Sequence, residues 1–262
     1  MKIAVSGKGG VGKTFIAGTL AWLFAREGRA VIAIDADSSP NLALSLGLSP
    51  DQAEQILPVS ENKELIALKT ATEFPGVYNL SFTVDDIITR YALPTPAGVH
   101  LIVMGTVTAM GSGCACPANT VVQALLRHLV VHRDEVVILD MEAGVEHLGR
   151  GTADSVDLLL VVTDANGKSL HTARRIAHLS EGSGIHQVSI LGNRIENAEQ
   201  RHLVQEFCRR HTLTLLGCIP FDPHVRDAGL SGGAPFPVPD GEALRSLGNI
   251  RKKLPAEPGD VS

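Results

Sequence analysis

The sequence predicts an α/β protein built on a mainly parallel sheet flanked by helices on both faces. Three observations carry this expectation. Short apolar strand-like runs alternate with segments of helical periodicity along most of the chain. No internal repeat or linker interrupts that alternation. The chain also opens with a strand, a glycine loop and a helix in direct succession.

Lys2–Ser6 is the first strand, and Gly7-Lys8-Gly9-Gly10-Val11-Gly12-Lys13-Thr14 follows it in the pattern GxxxxGK[ST]. A helix over Phe15–Glu27 carries Ile16, Leu20, Leu23 and Phe24 on one face, and Gly28 closes it. A second strand, Ala30–Ile34, ends in Asp35-Ala36-Asp37. The stretch from Ser38 to Pro96 is the least regular: a helix near Asn41–Leu46, turns at Pro40, Pro50 and Pro58, and a short strand over Tyr78–Val84. His100–Met104 is a strand, followed by the Gly/Ser/Cys-rich loop Gly105–Pro117 and a helix over Asn119–His132. Strand Val136–Asp140, strand Leu158–Thr163, helix Ser169–Glu181, strand Gln187–Gly192, helix Ala198–His211 and strand Leu213–Ile219 come next. A last helix over Gly241–Leu254 leads into a Pro/Gly tail, with residues 1–262 read as one domain and 255–262 as a flexible tail.

The glycine loop has a mechanical meaning where it stands. A strand that turns through glycines into a helix N-terminus aims backbone N–H groups and the positive end of the helix dipole at one point, which makes an anion site. Lys13 adds positive charge for β- and γ-phosphates, and the Thr14 hydroxyl is placed to ligate Mg²⁺. In a mainly parallel sheet, ligands bind at the carboxyl ends of the strands. Two strands end there in aspartate. Asp140 is placed to hold the Mg²⁺ hydration shell, with Met141-Glu142-Ala143-Gly144 as the loop that senses a γ-phosphate. Asp35 and Asp37 supply one group to support Mg²⁺ and one to orient an attacking water. The bland alternative for each is a helix cap.

Composition narrows the class. With 262 residues, 44% hydrophobic and 19% charged, the chain has room for one large α/β core. A formal net charge of −5 argues against a general nucleic-acid surface. No apolar run approaches the roughly 20 residues of a membrane span, and the first strand begins at once, so a cytoplasmic location is expected. Four cysteines do not make a disulfide scaffold, but Cys114 and Cys116 lie one residue apart. That spacing disfavours a relaxed disulfide and suits two thiolates facing one metal. One pair is half of a four-coordinate site, which a symmetric dimer would complete, for Ni²⁺, Zn²⁺ or an iron–sulfur cluster. Cys208 and Cys218 read as packing residues.

Lys8-Gly9-Gly10-Val11-Gly12-Lys13-Thr14 resembles the deviant phosphate loop (deviant Walker A) of the MinD/ParA/nitrogenase-iron-protein class of P-loop NTPases. The resemblance implies a nucleotide-sandwich homodimer in which Lys8 reaches the partner's phosphates, with Asp37 activating water and Asp35 helping Mg²⁺. It implies ATP contacts from Gly9, Gly10, Val11, Gly12, Lys13, Thr14 and Phe15, with Asn193 reading adenine beside the Ile219-Pro220-Phe221-Asp222 turn. Phe15 departs from the pattern, because members usually carry a second Thr there; altered nucleotide affinity is expected. Gly111–Pro117 and Asp140–Thr152 look like the CooC-type nickel-insertion ATPases that mature carbon monoxide dehydrogenase, including the related acetyl-CoA synthase maturation ATPases.

The function implied is an ATP-hydrolysing nickel metallochaperone with apo carbon monoxide dehydrogenase or acetyl-CoA synthase as client. Two other readings stand beside it: an iron–sulfur ATPase-reductase resembling nitrogenase iron protein, and a MinD/ParA-like positioning ATPase. His147, beside Glu146, is the one histidine singled out, either to couple nucleotide state to the metal loop or to fix the loop by hydrogen bonds. The last helix, with Leu244, Leu247, Ile250 and Leu254 in one stripe, is expected to dock on the domain rather than on a membrane.

Overall fold

A computed structural model describes residues 1–73, 79, 82–105, 117–132, 134–144, 148, 152–234 and 241–254. The sheet has eight strands in the order β3-β4-β2-β5-β1-β6-β7-β8. These are β1 (Lys2–Gly7), β2 (Val31–Ala36), β3 (Leu93–Pro94), β4 (His100–Val103), β5 (Val136–Met141), β6 (Leu158–Thr163), β7 (Gln187–Ile195) and β8 (Leu215–Pro220). All neighbours run parallel except the two-residue edge strand β3, which pairs antiparallel to β4. The expected class is therefore the observed one.

The apolar strands are buried on both faces because successive side chains enter two different cores. Ile3, Val5, Ile138, Leu158 and Leu160 join one core with Ile16, Leu20 and Phe24 of α1 (Lys13–Arg26). Ala4, Val137, Leu139, Leu159 and Val161 face the other. There they meet α6 (Pro117–His132), α7 (Gly167–Ser180) and α8 (Ala198–Arg210), through residues such as Leu125, Leu170 and Val204.

The irregular stretch is more helical than expected. It holds α2 (Leu42–Ser45), α3 (Pro50–Glu54), α4 (Lys63–Thr70) and α5 (Asp85–Tyr91). Pro50 marks no turn: it is the first residue of α3, where its missing N–H costs nothing, behind a Ser49/Gln52 capping box. The strand expected over Tyr78–Val84 is corrected where it is described: Asn79 and residues 82–84 lie in no strand, and Val84 is the N-cap of α5. The remainder of that segment lies outside the described residues.

Near the C-terminus, α9 (Pro223–Ser231) was not anticipated. It buries none of its residues, so it leaves no apolar period to read. The helix after it, α10 (Glu242–Arg251), docks against α1 and β8. Leu247 is fully buried, Ile250 and Leu254 nearly so, and Arg251 lies over the Phe24 ring while pairing with Glu27. The apolar stripe of the last helix is thus spent inside the fold. No helix among the described residues is long and apolar enough to cross a membrane.

Candidate active site

β1 lies in the middle of the sheet between β5 and β6, and the glycine loop leaves its carboxyl end. Two glycines are required by geometry. Gly7 has φ +151, and a Cβ there would stand 2.3 Å from the Val162 carbonyl oxygen. Gly12 has φ +94, and a Cβ there would stand 2.4 Å from Asn193 Nδ2. α1 then opens at Lys13 with no side-chain cap and no acidic residue in its first turn. Its leading N–H groups and dipole are left for an anion. Lys13 is buried, Thr14 and Phe15 are half-buried, and Gly9 and Gly10 are exposed at the loop tip. Lys8 is half-buried, and its carbonyl accepts a long 3.4 Å bond from Val11 N–H.

Strand register brings the carboxylates to this loop. Asp140 is opposite Val5 on one side and opposite Asp35 on the other. It is 1% exposed, and no hydrogen bond of ordinary geometry reaches either oxygen among the described residues. Burial pushes its pKa to about 7; Asp35 and Asp37 push the same way, while the nearby Thr14 hydroxyl and Lys13 ammonium oppose them. Asp35 is raised to about 6 by burial, against the pull of backbone N–H groups. Its Oδ2 accepts from Leu42 N–H at 2.8 Å and its Oδ1 from Asp37 N–H at 3.3 Å, so it ties down the chain that follows β2. Asp37 is half-buried and accepts from Ser39 N–H at 2.9 Å. Among the described residues no three His, Cys, Asp or Glu side chains converge as a metal site, and both Asp35 oxygens are taken by backbone N–H groups, so the hard oxygen donors are the orphaned Asp140 oxygens and the nearby Thr14 hydroxyl. These residues fit Mg²⁺.

Two contacts in the same cluster escaped the sequence reading of the site, although Glu142 itself belongs to the expected γ-phosphate loop. Ser6 Oγ lies 2.9 Å from the Glu142 carbonyl and 3.0 Å from that of Gly144, and it accepts from Gly144 N–H at 3.1 Å. One hydroxyl thereby ties β1 to the loop after β5. The Glu142 carboxylate accepts from Ser38 N–H at 3.1 Å and from the Ser38 hydroxyl, joining that loop to the Asp37 loop. Neither contact has a sequence signal, because each joins residues more than 100 positions apart.

A cleft of about 540 Å³ opens beside the loop, lined by Gly12, Phe15, Asn193, Pro220, Phe221 and Arg226, among others. Asn193 is buried, with its Nδ2 donating to the Val11 carbonyl at 2.8 Å, so its Oδ1 is the atom left for a donor such as an adenine amino group. Pro220 ends β8. Asp222 caps two helices at once, accepting from His224 N–H in α9 and from Ala243 N–H in α10, each at 3.0 Å. Burial pushes its carboxyl up, but these N–H groups and the His224 ring more than offset it and hold the pKa below the usual carboxylate range.

Cys114, Cys116, Glu146 and His147 lie outside the described residues, as do most of the stretches that carry the CooC resemblance. What is described is that Gly105 follows β4 closely and that α6 opens at Pro117, directly after Cys116 in sequence. Cys208 is buried in the core and Cys218 is half-buried, and burial raises both thiols, in keeping with packing roles.

A glycine loop at the end of a central parallel strand, beside a strand-end aspartate pair, defines a P-loop ATPase. Residues 2–236 match the CobQ/CobB/MinD/ParA nucleotide binding domain, and the chain belongs to that family, within its CooC-type branch. It is 42% identical over 234 residues to the carbon monoxide dehydrogenase accessory protein CooC of Rhodospirillum rubrum, covering 88% of each chain. It is 44% identical over 230 residues to an uncharacterized ATP-binding protein of Methanocaldococcus jannaschii, covering 86% of this chain and 87% of that one. A ParA family ATPase from Chlorobium tepidum superposes with a TM-score of 0.69 over 96% of this chain and 97% of its own. At 18% identity, that likeness speaks for the fold alone.

Proposed function

We propose that this chain is an accessory ATPase of carbon monoxide dehydrogenase maturation, or of the related acetyl-CoA synthase, with nickel as its cargo. The observation that carries the reading is its 42% identity over 88% of the chain to a carbon monoxide dehydrogenase accessory protein. The site supports the ATP half of the reading. Val11, Gly12 and Lys13 N–H groups and the Lys13 ammonium receive the phosphates, Phe15 and Asn193 border the base, and Asp37 orients the attacking water. Mg²⁺, when bound at Thr14 and Asp140, supplies charge neutralisation for the triphosphate. Asp35 holds the Asp37 loop in place through its two backbone bonds.

The cargo half rests on the sequence. Cys114 and Cys116 offer two soft thiolates, and a homodimer closing over ATP, with Lys8 reaching across, completes four. Closure and hydrolysis then change the shared site and release the metal to the client. The test measures Ni²⁺ binding by the purified protein with and without ATP, against a C114S/C116S variant. The expected result is one nickel per dimer, lost in the variant. Undiminished stoichiometric binding in the variant overturns the metal assignment. A brown protein with broad visible absorbance after anaerobic purification replaces nickel with an iron–sulfur cluster.

A further inference from the structure

The end of β7 makes an unusual approach to the phosphate loop. Its pairing with β8 is irregular between Gly192 and Ile195, and within that break Arg194 takes φ +57, a left-handed conformation that non-glycine residues rarely adopt. Such a conformation persists only where its surroundings over-determine it. Here the kink turns two consecutive side chains onto two consecutive carbonyls. Asn193 Nδ2 donates to the Val11 carbonyl and Arg194 Nη1 to the Gly10 carbonyl, each at 2.8 Å.

Peptide planarity gives these two bonds a consequence. In a trans peptide the C=O and the following N–H lie in one plane and point in opposite directions. The Gly10 carbonyl shares its plane with Val11 N–H, and the Val11 carbonyl shares its plane with Gly12 N–H. Holding both carbonyls toward β7 turns both N–H groups the other way. Among the described residues, Val11 N–H meanwhile has only the long 3.4 Å bond to the Lys8 carbonyl, which an anion can displace. A guanidinium on the carbonyl also polarises that amide and strengthens its N–H as a donor.

We infer that Arg194 is a positioning residue for phosphate binding: its bond to the Gly10 carbonyl aims Val11 N–H at the nucleotide's phosphates, with Asn193 doing the same for Gly12 N–H. The inference rests on the P-loop ATPase assignment and deepens it. Arg194 also lines the base cleft, so the rival role is direct contact with base or ribose.

The two roles separate with half-ligands. Binding of inorganic pyrophosphate and of adenosine is measured by calorimetry on the full-length protein, with Mg²⁺ present, for wild type, Arg194→Ala and Arg194→Lys. A strut for the loop predicts roughly tenfold weaker pyrophosphate binding in Arg194→Ala, partial rescue in Arg194→Lys, and less than a twofold change for adenosine. The ratio of the two affinities within one variant does not depend on the fraction folded. Loss of adenosine binding with pyrophosphate unchanged assigns Arg194 to the base and overturns the inference. Equal losses of both mark a merely structural residue, and no change in either marks an idle contact; both overturn it as well. Wild type that binds neither pyrophosphate nor ATP would instead overturn the ATPase assignment on which the inference stands.

Discussion

Replacing Asp140 with Asn should stabilise the metal-free protein at alkaline pH while abolishing hydrolysis. The carboxyl is 1% exposed, no hydrogen bond of ordinary geometry reaches either oxygen among the described residues, and burial raises its pKa from the usual 3.8 to about 7 although the Thr14 hydroxyl and Lys13 ammonium nearby pull it down. The folded state therefore binds a proton that the unfolded state has released. A group raised in this way contributes its full stability below about pH 4 and loses it as pH climbs to about 7. At 1.36 kcal/mol per pH unit the whole span corresponds to roughly 4 kcal/mol, an upper bound because local relaxation lowers the cost of a buried charge.

Asparagine has the shape of the neutral acid and does not titrate. Unfolding in urea, with EDTA present, should find the gap between variant and wild type at pH 4.5 only about a quarter of its full size. By pH 8 the variant should be more stable by about 1–3 kcal/mol, or several degrees in Tm for a domain of this size. ATP turnover should fall at least 100-fold over the same range, because a neutral amide is a poor Mg²⁺ ligand. A variant equal to or less stable than wild type at pH 8 would refute the reasoning, because the buried carboxylate would then have a compensating partner.

Two further substitutions probe how the site is held. Ser6→Ala removes the hydroxyl bridging β1 to Glu142 and Gly144, leaving a buried N–H and carbonyl without it. Stability should drop by about 1–3 kcal/mol, and steady-state kinetics should show kcat falling more than KM rises. Asp222→Ala uncaps α9 and α10 together, so thermal melts should show a loss of about 1–3 kcal/mol, with a raised KM for ATP expected because both helices border the cleft beside the phosphate loop. Because the Asp222 pKa is depressed, its contribution is present above about pH 4 and should disappear as pH falls through that lowered value.

The legible parts of this chain were those whose signal is local. The phosphate loop could be read because strand, glycines and helix are consecutive, and the glycine requirement at Gly7 and Gly12 is now visible as contacts with Val162 and Asn193. β6 could be read to the residue because it is apolar without a break. By contrast, α9 buries nothing, α3 is only five residues long, and α4 buries two of its eight residues, so none carries a strong period, whereas the short α2 falls within the helix expected near Asn41–Leu46.

By itself, the sequence determined the fold class and the nucleotide loop, because each is written in consecutive residues, and it marked Asp35, Asp37 and Asp140 as strand-end carboxylates. Only the tertiary structure decided how those pieces are braced. Strand order put Asp140 beside β1 with Asp35 opposite it on the far side, Ser6 met a loop 138 residues away, and the break in β7 turned Asn193 and Arg194 onto the phosphate loop. Such contacts depend on which strands become neighbours, and that is settled by packing the whole sheet between its two cores rather than by any local run of residues.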